Sequence, residues 1–458
     1  MNKQIKNIHF GGIGGCGISA LAQIALRHGY RVTGSDIAAS QYTRKLQSLG
    51  IPIFFGHREE NIKGADLIVN SAAIEMSNPE VRAARKLGIP IVKHSQFLGQ
   101  LMKHEFGICV AGTHGKTTTD ALIGLCLVEA GLDPTIEIGG SVSELQGNVR
   151  VGKSQYFVAE SCEFDHSFLN LFPRIGIVLN IEEDHPDYYP NLETLKKAFV
   201  DFLDLVPAEG SIILRNESEA AREVLAKTKS AAQKVTVGFN KTSDWWAENV
   251  DLKRNKTDFE AFFRGKSVGN FRLSILGRLN VQNALGALAV LKILDVDLEN
   301  ARAVFKKFHG VDRRFEVVYK NNFEVVSDYA HHPAQIRATI EAAKQQTYRR
   351  LVVVFQPHTY SRTQYLFNEF IHAFDGADRL LIAETYLPAG RHEKILPQSS
   401  SLVLAEKIGK LQAGVEYTGN LTQTVKQLES ILQKGDLVLI VGAGDIYQIA
   451  DSVKRIKI

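Results

Sequence analysis

Residues 107–120 read GICVAGTHGKTTTD: the end of a short apolar strand, a glycine turn, then a lysine and three threonines at the mouth of a helix. No other stretch limits the fold as strongly. Backbone amides at a helix start bind an anion well only where a loop leads from a strand into a helix, as in the βα units of parallel sheets. Gly112-Thr113-His114-Gly115-Lys116-Thr117 departs from a full GxxxxGK[ST] loop, because Val110 holds the first glycine position. The shorter loop keeps the chemistry. Lys116 would place a charge between the β- and γ-phosphates, the Thr117 hydroxyl would offer a ligand to Mg²⁺, and Thr118 follows in the first helical turn.

The same arrangement occurs earlier. KNIHF reads as a strand, GGIGGCG as a turn and ISALAQIALRHGY as a helix, with Gly12, Gly14, Gly15 and Gly17 in a GxGxxG pattern. Ser35 and Asp36 end the next strand, RVTGSD. Such a loop suits a pyrophosphate, which both NAD and a uridine diphosphate carry, so it identifies the anion and not the base. ADLIVNSAAI and IPIVKH continue the alternation. A second cycle runs from FGICV through SQYFVAES, RIGIVLNI, a helix at about 192–206, and GSIILR, then turns β-rich between 233 and 276. The helix NVQNALGALAVLKIL closes it. A third cycle starts near Gly310 with FEVVYKNNFEVVSDY, a hairpin turning at Asn321-Asn322, followed by RRLVVVFQPH, DRLLIAETY and DLVLIVGAG. The expected fold is α/β with three domains, each built on a mostly parallel sheet: 1–105 Rossmann-like, 106–309 P-loop-like and 310–458 Rossmann-like.

Two further clusters carry chemistry. VAESCEFDHSF places Glu160, Glu163 and Asp165 at a strand end, and LNIEEDHPDYY places Asp184, His185 and Asp187 at the next. Carboxylate and imidazole on neighbouring strand ends, after a phosphate loop, point to a metal. Lys+Arg 54 against Asp+Glu 50 gives +4, scattered along the chain, which is too mild to suggest nucleic-acid binding, and no nucleic-acid partner is expected. The four cysteines lack metal-ligand spacing and read as reduced, buried thiols. No apolar run reaches about 18 residues and the N-terminus has no signal-peptide core, so a cytoplasmic protein without membrane attachment is expected.

Taken in order, AGTHGKTTT, NIEEDHPDYY, LGRLNVQNALGALA, GVDRRFEVV, SDYAHHPAQIRATIEA, FQPHTYSRT and VGAGDI resemble the Mur ligase family of ATP-dependent amide-bond ligases, from about residue 7 to 450. The resemblance implies an N-terminal UDP-sugar domain, a central ATPase and a C-terminal domain that brings the amino acid. It implies that Gly12, Gly14, Gly15, Gly17, Ser35 and Asp36 cradle UDP-N-acetylmuramate. Gly112, Thr113, His114, Gly115, Lys116, Thr117 and Thr118 would hold ATP, with Asn280 and Asn283 at adenine and Arg314, Asp328 and His331 also at the nucleotide. Thr117, Glu160 and His185 would bind Mg²⁺ or Mn²⁺. Lys116, His185, His358 and Arg362 would act in catalysis, the last two beside the incoming amino acid.

The implied reaction joins L-alanine to the lactyl carboxylate through an acyl phosphate, L-serine, glycine or a recycled murein tripeptide being alternative acceptors. The implied partners are these small molecules, with the protein a monomer or homodimer. Three departures stand out: Leu279 where the family has an imidazole, Ser327 where it has an aspartate, and Thr359 where it has an arginine near the amino acid's carboxylate. Either Arg362 holds that carboxylate alone or a different acceptor is used. His185 and His358 are both candidates for deprotonating the ammonium. An NAD-dependent oxidoreductase, resting on the first loop alone, and a catalytically silent nucleotide binder are the competing classes.

Overall fold

A computed structural model describes residues 5–253, 256–388, 393 and 400–458. The first sheet contains β1 (Asn7–Gly11), β2 (Arg31–Asp36), β3 (Ile53–Phe55), β4 (Leu67–Asn70) and β5 (Ile91–Lys93). Its order is β3-β2-β1-β4-β5 and all pairings are parallel. The strand order reverses at β1, so the crevice at its carboxyl end, where the first glycine loop leaves the sheet, is the place for a ligand.

The second sheet is built around β6 (Phe106–Ala111), with β7 (Thr135–Val142), β8 (Gly147–Arg150), β9 (Tyr156–Glu160), β10 (Pro173–Val178), β11 (Ser211–Arg215) and β12 (Gln233–Gly238). These run β12-β11-β10-β6-β9-β7-β8, parallel except for the β7–β8 hairpin. β13 (Trp245–Lys253) enters beside β12 through Val237↔Trp245. β14 (Lys256–Phe263) and β15 (Lys266–Leu273) pair antiparallel, which accounts for the β-rich stretch. The helix Lys116–Glu129 is buried along most of its length, as its apolar stretch from Ala121 to Val128, which has no polar face, requires.

The third sheet comprises β16 (Glu316–Lys320), β17 (Glu324–Asp328), β18 (Arg350–Phe355), β19 (Arg379–Ala383), β20 (Val415–Gly419) and β21 (Asp436–Val441). Its order is β16-β17-β21-β18-β19-β20, with only β16–β17 antiparallel. The hairpin turns where expected, Lys320 pairing with Glu324 around Asn321-Asn322. Alternate residues of β18 serve two cores, Leu351, Val353 and Phe355 on one face and Val352 and Val354 on the other. A strand covered on both faces needs an unbroken apolar run, which LVVVF supplies.

By packing, the chain forms two compact units: Met1–Ile181, Lys196–Trp246 and Asn283–Val304 in one, Glu182–Leu195, Ala247–Gln282 and Phe305–Ile458 in the other. The segment 182–195, which follows β10 in sequence, thus belongs with the third sheet. All four cysteines are free, Cys109 and Cys126 buried, Cys16 and Cys162 half-buried. Among the described residues no helix is long and apolar enough to cross a membrane.

Candidate active site

In the first unit the loop after β6 is shaped by a residue the sequence reading passed over. Asn180 takes the Thr113 N–H on its carbonyl at 3.1 Å and the His114 N–H on its side-chain oxygen at 2.8 Å, and returns a bond from Nδ2 to His114 O at 3.0 Å. The amides of Thr113 and His114 are therefore committed to the protein. Those of Gly115, Lys116 and Thr117, at a helix start with no intrahelical acceptor, are placed as donors that an anion could take. Gly115 has φ 87°, and a Cβ there would lie 2.6 Å from Asn283 Oδ1, so only glycine suits the position. Asn283 is thereby placed against the loop.

Lys116 Nζ donates to Gly112 O at 2.5 Å and lies 3.1 Å from Glu163. Burial alone would lower its pKa, but the neighbouring acids, Glu163 foremost, hold it above the usual lysine range. Thr117 Oγ1 donates to Glu160 at 2.7 Å, and the Gly139 N–H donates to the same carboxylate at 2.8 Å. A hydroxyl and a carboxylate meeting beside the phosphate loop are hard oxygen donors of the kind Mg²⁺ or Mn²⁺ takes. Both fit the ion assigned to them by resemblance. His185 belongs to the second unit.

Beneath this cluster lie two acids that the sequence did not single out. Asp120 is fully buried, with neither carboxylate oxygen hydrogen-bonded, and burial together with Glu160 and Glu137 pushes its pKa well above the ordinary value. Glu137 is pushed up to about 8, by burial first and the Glu160 charge second. In the unfolded chain Glu137 would titrate near ~4.3. Between there and about 8 the native state holds a proton that the unfolded state lacks, so stability falls as pH rises through that window. Glu137→Gln removes this dependence. Its melting temperature should match the parent's near pH 4.5 and exceed it by about 2–4 °C or more at pH 8, for a term of ~1 kcal/mol. A difference that stays constant between the two pH values would show that Glu137 does not titrate this way.

The first glycine loop is more self-contained than its pattern suggested. Gly12 and Ile13 donate to Ser35 O at 2.9 and 3.0 Å, Gly14 to Asp36 Oδ2 at 2.7 Å, and Gly15 to Gly12 O at 3.1 Å. A Cβ at Gly14 would lie 2.8 Å from that Asp36 oxygen, which is why the position has none. Asp36 thus shapes the loop. The Ser35 hydroxyl is buried, donating to Glu80 at 2.7 Å within a network that includes His9, His57 and Asn61. The sequence reading placed Ser35 near the nucleotide; its side chain instead faces the protein interior. The loop donors left for a pyrophosphate are the Cys16 and Gly17 amides at the start of helix Cys16–Arg27. His94, also unforeseen, packs there: its buried Nε2 lacks a hydrogen-bond partner and lies 2.7 Å from where a Gly17 Cβ would be. Burial lowers its pKa to about 4. Asn180 and His94 both follow strand ends, the one sequence signal that could have found them.

The second unit gathers the remaining candidates. Asp328 is buried and accepts from the Phe315 N–H at 2.8 Å and the Ala330 N–H at 2.7 Å; burial raises its pKa. Arg314 lies over the Tyr329 ring at 4.9 Å, and Asn280 donates to Leu276 O at 2.7 Å. His332 Nε2 donates to Glu183 O at 3.1 Å. Arg362 is 3% exposed and Asp184 6%. The guanidinium places Nε and Nη2 on Asp184 Oδ1 at 2.9 and 2.8 Å, and Nη1 against His358 Nδ1 at 3.0 Å. Burial would raise the Asp184 pKa, but Arg362 and the nearby histidines hold it well below the carboxylate range. His185, at φ 54°, has its N–H on Asp184 Oδ1 at 2.7 Å. Thr359 caps helix Tyr360–Tyr365, accepting from the Arg362 N–H. In this arrangement most of the Arg362 donors are engaged within the protein, by Asp184 and His358.

Three family models cover the chain: the Mur ligase family, catalytic domain, over residues 7–106; the Mur ligase middle domain over 110–291; and the Mur ligase, glutamate ligase domain over 313–444. UDP-N-acetylmuramate–L-alanine ligase of Caldanaerobacter subterraneus subsp. tengcongensis is 42% identical over 452 residues, 98% of this chain and 97% of the relative. The protein of that name from Acetivibrio thermocellus is 41% identical over 454 residues, 98% of this chain and 95% of its own. The crystal structure of UDP-N-acetylmuramate-alanine ligase from Thermotoga maritima superposes with a TM-score of 0.82 at 28% identity, covering 98% of each chain. Matches of this extent leave no part of the three-sheet chain outside one lineage, and the protein belongs to the Mur ligase family.

Proposed function

We propose that this protein is the cytoplasmic enzyme that joins L-alanine to the lactyl carboxylate of UDP-N-acetylmuramate with hydrolysis of ATP to ADP and phosphate, in peptidoglycan precursor synthesis. The observation that carries the reading is the cluster of Lys116, Thr117, Glu160 and Glu163 at one glycine turn. Full-length relatives that bear this ligase's name support the choice of substrates. On this reading 1–105 binds the UDP-sugar, 106–309 ATP, and 310–458 the amino acid.

A carboxylate and an ammonium do not condense at neutral pH, because the carboxylate is a poor electrophile and the ammonium has no lone pair. Transfer of the γ-phosphoryl group solves the first problem. A lactyl oxygen attacks phosphorus in line, the bond to the β-phosphate oxygen breaks, and ADP leaves. Lys116 and the amides of Gly115, Lys116 and Thr117 hold the transferring group and spread its charge. Thr117 and Glu160 would hold Mg²⁺, which would neutralise phosphate charge when bound. The neutral amine then attacks the acyl carbon, phosphate departs with the C–O electron pair, and one proton is released. The acyl phosphate is hydrolysed by water, so the site must be closed before chemistry.

The test is phosphate release by the purified protein with Mg-ATP and UDP-N-acetylmuramate, supplying L-alanine, L-serine, glycine and the murein tripeptide separately. L-Alanine is expected to give the highest kcat/KM. Release that depends on the tripeptide instead would assign the recycling reaction, and no ADP with any amine would end the ligase reading.

A further inference from the structure

A cleft of about 640 Å³ opens where helices Cys16–Arg27 and Gln41–Ser48 meet the β7–β8 hairpin, all within Met1–Ile181 of the first unit. Helical spacing builds two of its walls. Gln23, Leu26 and Arg27 fall at i, i+3 and i+4 on the first helix, which puts them on one stripe. Tyr42, Lys45 and Leu49 fall at i, i+3 and i+7 along and just past the second. Val149 and Val151 come from the hairpin and its flank. The walls are fixed from behind. Asn148, 2% exposed, donates Nδ2 to Cys16 O at 2.6 Å, and Tyr42 hydrogen-bonds the Cys16 thiol. A preformed concavity of this volume is the size of a small-molecule site.

The charge of the cleft has one sign. Arg27 and Lys45 stand in the last turns of their helices, and among the described residues neither side chain has an ion-pair or hydrogen-bond partner. Arg150, the third cation of the lining, is engaged by Pro134 O at 2.8 Å and Asp133 at 2.5 Å. Among the described residues no carboxylate lines the cleft. Two unpaired cations beside leucine and valine side chains suit an anion with an apolar body. We infer that the cleft binds one small organic anion, its phosphate or carboxylate held by Arg27 and Lys45 and its apolar body by Leu26, Leu49 and Val149. The site goes beyond the ligase reading and is separate from its sites. No residue that the family resemblance gives to UDP-N-acetylmuramate, ATP or the metal lines it. The loop amides left for a pyrophosphate stand at the start of helix Cys16–Arg27, and Arg27 lies about 15 Å further along its axis. The apolar side chains line a concavity, which suits a dissolved molecule and not a lipid surface.

The probes are octyl phosphate and octanoate below their micelle concentrations, followed in ¹H–¹³C spectra of the full chain labelled at leucine and valine methyl groups. Leu26, Leu49 and Val149 are assigned by the signals lost in Leu26→Met, Leu49→Met and Val149→Ile. Their signals should shift together and saturably with at least one of the two probes. Inorganic phosphate, the head alone, and octanol, the body alone, should each bind more weakly by about tenfold or more. Arg27→Gln combined with Lys45→Gln should weaken the anionic probe by about tenfold or more and leave octanol unchanged. Both positions are exposed, so the melting temperature of that variant should match the parent's. Shifts that never saturate would mean that Arg27 and Lys45 are solvated surface charges, and the proposal falls. It falls also if octylammonium binds as tightly as the anions, or if the double variant binds them as well as the parent. Shifts produced by vesicles of phosphatidylglycerol and phosphatidylcholine, but by neither probe, would assign a lipid surface instead. Displacement of the probe by UDP would place it at the first glycine loop and overturn the separate site. None of these outcomes depends on turnover, so failure of the ligase reading would be seen apart from them.

Discussion

Lys116→Ala is expected to lower turnover by about 10³-fold or more, with the protein still folded by circular dichroism and by its melting transition. The magnitude follows from removing the principal cation of a phosphoryl transfer, where catalysis is almost entirely charge stabilisation and positioning. The resting structure adds a second consequence. Lys116 is clasped between Gly112 O and Glu163, and Glu163 is itself buried at 1% exposure. Removing the lysine takes a cation from beside that buried carboxylate, so a loss of stability should accompany the loss of rate. Lys116→Arg restores charge, but its longer planar fork cannot reproduce a point charge at the Gly112 carbonyl, and partial recovery of stability with little recovery of rate is expected. Retention of activity within a few-fold in Lys116→Ala would remove this residue from the mechanism. The comparison is best made on single-turnover ADP formation, which separates chemistry from product release.

The fold was legible because each sheet announces itself locally. LVVVF in β18 is an apolar run that needs two covered faces, and KNN between two β-rich runs is a turn; both fell where the sequence put them. The phosphate loop was legible for the same reason, its chemistry being contained within a few consecutive residues. What escaped is what depends on contacts distant in sequence. Asn180 shapes a loop more than sixty residues before it, and nothing in NIEEDH says which way its amide points. Glu137 and Asp120 sit in a strand and a helix that otherwise read as apolar, and their burial follows only from the stacking of those elements. The direction of the Ser35 side chain was not legible either. Position at a strand end was read correctly, but adjacent residues on a strand point to opposite faces, and Asp36 is the one that turns to the loop. Arg362 was likewise found in sequence, while its partner Asp184, 178 residues away, decides what it does.

That partner makes Arg362→Met the second large effect, and one on stability. The substitution keeps most of the side-chain volume while leaving Asp184, nine-tenths or more buried, as an unpaired carboxylate. Breaking a buried ion pair from one side costs about 3–5 kcal/mol, much more than the pair contributes when both partners are replaced. The pH dependence has a definite sign. Asp184 has a folded-state pKa held well below its unfolded value, so its contribution is present at pH 7 and is lost as pH falls through the acid range. The deficit of Arg362→Met should therefore be largest at neutral pH and shrink towards pH 4, where the unpaired carboxylate takes up a proton. Hydrogen exchange at the amides of helix Tyr360–Tyr365 reports on this region without assuming that a chain of two units unfolds in one step. The double variant Arg362→Met with Asp184→Asn should recover most of the lost protection, since an amide buried there carries no charge to desolvate. If the single variant loses less than about 1 kcal/mol at pH 7, or the double variant is no better protected than the single, the buried pair is not what holds this helix to the 182–195 segment. The orientation of His358 would then need another cause.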